Sequence, residues 1–325
     1  MRKPSLVFVI LLTFIAATAQ AQTAPATQPA TQPALGQYSP GQVFVAGAGE
    51  KNYSTVRLLD LEATRKDPSA VVWSWIAKDS PQIQPVHRQC FFSLNECKPV
   101  MNGEAILVTS STQGAVALIR VKDKACLAYA KAKGAHSADL IGKDLLAVAL
   151  SNEKGDLRIY RLPPAGAENV FLDDPAWKID FPWAHSAVWD PIRQVLWAHG
   201  DKQLLKLKVK AGETISADVA GKWELPAAAG HDLCPWDDKR LAVTVGASAH
   251  LFDVEKEAFA PLPGLADSPG LKCVSRDPKT GQVIYVQADH SNRSREIGVL
   301  DGRGIPVGGH PIYKARWNQP NAFTK

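Results

Sequence analysis

"AHSADLIGKDLLAVAL" runs from Ala135 to Leu150, and its opening tetrad returns at Ala184 in "AHSAVWDPIRQVLWAHG" (184–200). A looser third copy, "GHDLCPWDDKRLAVTVG", occupies 230–246. The copies start 49 and 46 residues apart, and periods of that size belong to solenoids, propellers or arrays. Each copy carries an apolar run of strand length, followed by polar or glycine-bearing turn residues.

The same unit extends through most of the chain. Strand-like runs start at Gly41, Ala105, Asp144, Gln194, Arg240 and Gln282, and each is followed by a second run, at Thr55, Ala115, Asp156, Gln203, Ala249 and Arg295. Outer strands are read at Ala70, Cys126, Ala176 and Gly221. Trp73, Trp75, Trp177 and Trp223 fall in these outer strands, where packing between neighbouring units explains them. Innermost strands begin at Asn95, Ala135, Ala184, Gly230 and Gly270, five copies for six hairpins. The missing copy is supplied if "HPIYKARWN" at 310–318 pairs beside the hairpin at Gly41. That closure removes both exposed edges of the ring. With helical periodicity absent, the expectation is an all-β, six-bladed β-propeller closed by its C-terminal strand, with seven blades as the alternative count.

The N-terminus reads differently. Arg2 and Lys3 precede an apolar run from Leu6 to Ala17 and an Ala19-Gln20-Ala21 site, which predicts a signal peptide over 1–21 and export to the periplasm or the exterior. The run is too short for a membrane span. Residues 22–40 repeat Ala-Thr-Gln-Pro without apolar periodicity and read as a disordered linker. One propeller domain over 41–325 follows. Loss of Arg2 and Lys3 with the leader lowers the formal charge from +5 to +3, a balance that does not call for a nucleic-acid partner. Nothing in the pattern asks for an oligomer, so a monomer is expected. The five cysteines show neither zinc-ribbon nor redox spacing.

In a propeller the starts of the inner strands meet at one mouth of the central channel. Those starts present Glu96 and Lys98, then His136, His185 and His231, then Lys272, then Tyr313, Lys314 and Arg316. Three histidines on successive blades can converge on one divalent ion, zinc or manganese. The opposing reading is a hydrogen-bonding brace, since Gly230-His231 echoes the Gly-His of the WD40 repeat. The Trp-Asp pairs here, Trp189-Asp190 and Trp236-Asp237, follow the histidines within one strand, unlike those of WD40. Strand alternation places Lys314 and Arg316 on one face and Tyr313 on the other. Lys314 and Arg316 facing the channel would form, with Glu96 and Lys98, a substrate-binding wall for a carboxylate or sulfate.

Taken together, "NECKPV", "AHSADL", "AHSAVWDP", "GHDL" and "YKARW" make the chain resemble a secreted bacterial propeller family of unknown function, from Gly41 to about Trp317. A distant likeness runs to propeller polysaccharide lyases of the oligogalacturonate and ulvan type, in residue types and architecture. That likeness implies an acidic oligo- or polysaccharide as partner and β-elimination as the reaction, with Lys272 as base and Tyr313 as acid. The rival expectation is a non-catalytic propeller that binds a ligand or a protein.

Overall fold

The computed structural model describes residues 35–47 and 54–323. The expected signal peptide and residues 22–34 of the expected linker lie outside the described residues. The remaining linker residues already pack against the domain. Ser39 is buried and its N–H donates to the Asn318 carbonyl, and a Cβ on Gly103 would strike the backbone of Gln37 and Tyr38 at 2.8 Å.

Six antiparallel sheets form the six blades of a propeller. Blades 2 to 6 begin with inner strands Leu94–Val100, Ala135–Ile141, Ser186–Asp190, Asp232–Pro235 and Leu271–Arg276. Blade 1 takes its inner strand from the C-terminus. Ile312–Trp317 pairs antiparallel with Gln42–Gly47, in the register Val43 to Trp317 and Ala46 to Lys314. Five blades have four strands and blade 2 has a fifth, Phe171–Leu172, parallel to Cys126–Lys131. Among the described residues one α-helix, Leu61–Lys66, follows blade 1's third strand, Thr55–Asp60, because Asp60 caps it, accepting from the Ala63 N–H. At the sequence level Asp60 reads only as a turn residue.

Successive strand side chains alternate between the two faces of a blade, and both faces are covered by neighbours. The apolar core is therefore six wedges, one at each blade interface. The outer-strand tryptophans act in these wedges as expected. Trp75 packs edge-on against Phe91 at 5.7 Å, Trp223 lies against Trp197 and Phe252, and Trp177 joins the wedge between blades 3 and 4.

After the closing strand the chain crosses the end of the channel opposite the histidines. Gln319 to Ala322 border a cavity there, and Phe323, fully buried, enters the wedge between blades 4 and 5. Sequence reading gave these last residues no role.

Two outcomes are expected. Truncation after Gly309 removes blade 1's inner strand and exposes the edge of Gln42–Gly47, so the cooperative thermal transition seen by circular dichroism should be lost. Phe323→Ala, which empties one wedge, should lower unfolding free energy in urea by about 3–5 kcal/mol.

Candidate functional site

The inner strands share one irregularity. In blades 2, 3 and 6 the ladder skips Asn95, His136 and Lys272, and the closing strand skips Tyr313. In blades 4 and 5 the N–H groups of His185 and His231 donate to His199 and Thr244, the residues that also pair with Ser186 and Asp232. Every blade thus sets two residues against one at this point. Such a bulge re-aims a side chain, here toward the channel mouth. Two places earlier the backbone is left-handed in five blades, with φ of 71° at Ser93, 92° at Gly134, 58° at Trp183, 60° at Ala229 and 77° at Gly270.

The mouth is therefore ringed by Asn95, His136, His185, His231, Lys272 and Tyr313. The three imidazoles stand side by side, with centroids 4.7 Å apart for His136 and His185 and 5.2 Å for His185 and His231. His136 Nδ1 lies 3.4 Å from the Gly134 carbonyl and His185 Nδ1 2.8 Å from that of Trp183. The repeated tetrad repeats this bond. It favours Nδ1 as the donor; Tyr313 Oη lies 3.5 Å from His136 Nε2, and Ser151 Oγ lies 3.0 Å from Nε2 and 3.1 Å from Nδ1 of His185. His231 differs. Its Nε2 is 3.2 Å from Lys272 Nζ, and its buried Nδ1 has no partner.

Burial keeps all three imidazoles uncharged. It drives His136 well below the ordinary value, helped by His185, takes His185 down to about 4, and takes His231 to about 3, with Lys272 adding to the shift. Burial also lowers Lys272 and raises Tyr313 against the opposing charges of Lys314 and Arg293.

Beneath the mouth lies a second layer, made by the next residues Glu96, Ser137, Asp232 and Lys314 and by Arg316, three residues beyond Tyr313, whose side chain reaches the same carboxylates. Arg316 donates from Nε and Nη2 to Glu96 at 3.0 and 3.1 Å, and from Nη1 and Nη2 to Asp232 at 2.6 and 2.5 Å. Lys314 Nζ donates to Asp232 at 2.8 Å and lies 3.4 Å from Glu96. Ser137 Oγ donates to Glu96 at 3.0 Å. Desolvation pushes both carboxyls up, but Arg316 and Lys314 outweigh it and hold them ionised below the usual range.

This layering corrects the expected wall. Lys314 and Arg316 do face the channel, yet their charges are matched by Glu96 and Asp232, and Lys314 is fully enclosed. The bulge at Tyr313 breaks the alternation, so Tyr313 also reaches the mouth. Glu96 is one step deeper than the histidines, whose ring position in blade 2 belongs to Asn95. Lys98 lies three residues beyond Asn95, roughly 10 Å along the strand. It meets Asp139 at 3.3 Å and the Ala187 carbonyl at 2.8 Å at the far end of the channel.

Arg293, Trp183 and His199 were not singled out from sequence. Arg293 reaches in from a blade 6 loop, its guanidinium 5.5 Å from the Tyr313 ring centre. Nη2 bonds Ser93 while the buried Nη1 has no partner. Trp183 is 45% exposed beside His185. His199 is buried beneath the mouth, its Nδ1 3.1 Å from the Gly200 carbonyl. Among the described residues no group of three His, Cys, Asp or Glu side chains is arranged to hold a metal ion, and no helix is long and apolar enough to cross a membrane.

Residues 2–325 match a profile described as a family of unknown function, DUF6528. The chain belongs to that family. No curated protein matches it. Among solved structures, this family member is similar to a functionally unknown protein from Desulfotomaculum acetoxidans, 11% identical over 85% of this chain and 80% of that one, with a TM-score of 0.52. It is also similar to the WD40 domain of Toxoplasma gondii coronin, 18% identical with a TM-score of 0.45, covering 63% of this chain and 58% of that domain's length. The first of these likenesses concerns the propeller fold alone.

The neutral imidazoles set a pH dependence. Unfolded histidines take protons near 6.5, whereas native His185 and His231 resist until about 4 and 3. The unfolded state binds more protons across that window, so this stabilisation is complete above pH 6.5 and is lost progressively as pH falls toward 4 and 3. Urea unfolding between pH 7.5 and 5 should show stability falling with pH, with a shallower fall in His185→Gln. An identical slope in the variant would contradict the assignment.

Proposed function

We propose that the histidine mouth of this exported propeller binds the carboxylate of an acidic oligo- or polysaccharide and cleaves the chain by β-elimination. The carrying observation is that Arg293 and Lys272 both lie by the Tyr313 ring, Arg293 with a buried Nη1 that has no partner and Lys272 beside the uncharged His231, while neither joins an ion pair among the described residues. Buried cations without acidic partners favour an anionic ligand.

Trp183 adds a reason for the anion to be a sugar acid. A left-handed backbone costs a side chain-bearing residue about 1–2 kcal/mol, and glycine stands at the equivalent position in blades 3 and 6. A half-exposed indole kept in that conformation beside the mouth supplies a flat face for a pyranose ring.

In the reaction, Arg293 Nη1 pairs with the uronate carboxylate and acidifies the C5 proton. Lys272, its proton affinity lowered by burial, acts as the neutral amine with one N–H directed at His231 Nε2, and takes that proton to become the ammonium. The electron pair becomes the C4–C5 double bond as the C4–O bond breaks, and Tyr313, kept protonated by burial, gives its proton to the departing oxygen. Export rests on the leader over 1–21. A zinc or manganese ion on His136, His185 and His231 fits less well, because Lys272 Nζ already lies 3.2 Å from His231 Nε2. Metal analysis of the purified protein tests that assignment, with less than stoichiometric zinc and manganese expected.

A panel of polyuronates, followed by absorbance of the unsaturated product and by calorimetric binding, tests the proposal. Lys272→Met should abolish product and retain binding, whereas Arg293→Met should lose binding. Trp183→Gly should weaken binding at least tenfold while holding or raising the thermal midpoint. Binding without product would remove the elimination and leave a binding propeller. Failure of every uronate to bind would overturn the proposal.

A further inference from the structure

Arg293 stands in the loop between Val283–Gln287 and Glu296–Val299 of blade 6, and its backbone is held on both sides. The Asp289 N–H donates to the Arg293 carbonyl at 2.9 Å, and Ser294 exchanges two backbone hydrogen bonds with Ile312, at 2.9 and 2.7 Å. From there the side chain passes the Tyr313 ring of blade 1, and Nη2 donates to Ser93 Oγ at 2.6 Å. Ser93 immediately precedes blade 2's inner strand, Leu94–Val100. The side chain is thus pinned at its root by blade 6 and at its tip by blade 2.

Three features of Ser93 bear on what that contact does. Its φ of 71° is left-handed, at the position where blades 3 and 6 have Gly134 and Gly270, so a side chain is kept there at a conformational cost. Its N–H donates to Ser54 Oγ at 2.7 Å, and Ser54 is itself buried. Its hydroxyl is the one hydrogen-bond acceptor that the Arg293 guanidinium meets among the described residues. The contact therefore sets how the planar fork is turned, and recognition of a carboxylate by arginine depends on that orientation. A donor aimed beforehand loses less freedom when the ligand arrives. A tie serving the fold alone would not need a cation, since a buried guanidinium left without an acid is costly.

We propose that Ser93 is a positioning residue that turns the Arg293 fork toward the carboxylate of the bound uronate, and so sets the preference of the mouth for the acid over its uncharged ester. The proposal rests on the reading that Arg293 receives that carboxylate.

Calorimetry on the full chain, with trimers of galacturonate, mannuronate and glucuronate as acid and as methyl ester, tests it. The parent should bind at least one acid tenfold or more tighter than its ester. Ser93→Gly, which suits the left-handed turn, should keep a cooperative thermal transition and bind acid and ester within threefold of one another. Ser93→Asp keeps an acceptor but answers the guanidinium with a charge. It should weaken the acid at least tenfold while holding or raising the thermal midpoint, and it carries the test if the glycine variant does not fold. In arginine side-chain NMR spectra the Arg293 Nη signals, identified by their loss in Arg293→Met, should be resolved in the parent and averaged in Ser93→Gly. A parent-like acid preference in either Ser93 variant, or unchanged Arg293 signals in Ser93→Gly, would overturn the inference and leave the uronate site standing. A parent that binds none of the acids would overturn the uronate site and this inference together, so measurements on the parent distinguish the two failures.

Discussion

Two cations and two carboxylates enclosed in the channel hold the ring together. Lys314 and Arg316 come from the last strand, Glu96 from blade 2 and Asp232 from blade 5. Removing four such charges from water is expensive, and only near-complete pairing compensates. Arg316 meets both carboxylates through two contacts each, the planar fork that lysine cannot provide. Because both cations lie on the closing strand, pairing of that strand with Gln42–Gly47 and neutralisation of the channel are one event. An open ring would leave Glu96 and Asp232 facing one another without a counter-charge.

The quartet also determines what stands above it. With the charge beneath already balanced, the mouth keeps its own character, three uncharged imidazoles with Lys272 and Arg293. The bulge at the same height in every blade makes this layering feasible. It lets consecutive residues such as His136 and Ser137 both address the axis, one forming the mouth and the other bonding Glu96 below. A regular strand would have turned one of them into a blade interface.

Most of the fold was legible because it is written in repeated apolar runs. The two copies of Ala-His-Ser-Ala mark the same bulge, and the unpaired "YKARW" at the end marks the missing inner strand. The depth of each site residue was less legible. Simple alternation separates Tyr313 from Lys314, whereas the bulge brings both to the channel. Nothing local in Glu96 or Asp232 announces that their partners lie more than eighty residues away. Arg293 sits in a loop outside the repeat. Trp183 carried a usable signal, since it occupies the place where the first copy has Gly134. The histidines mark one mouth in the sequence, whereas nothing there marks the cavity at the other end, because Gln319 and Phe323 follow the last repeat.

Arg316 and Asp232 stabilise the closed ring as a coupled pair. A double-mutant cycle of Arg316→Met and Asp232→Leu, read by urea unfolding at pH 7.5, tests it most directly. Each single substitution leaves an unmatched buried charge and should cost about 3–5 kcal/mol. The double variant should recover much of that loss, giving a large coupling energy. Losses that simply add, or single variants as stable as the parent, would contradict the account.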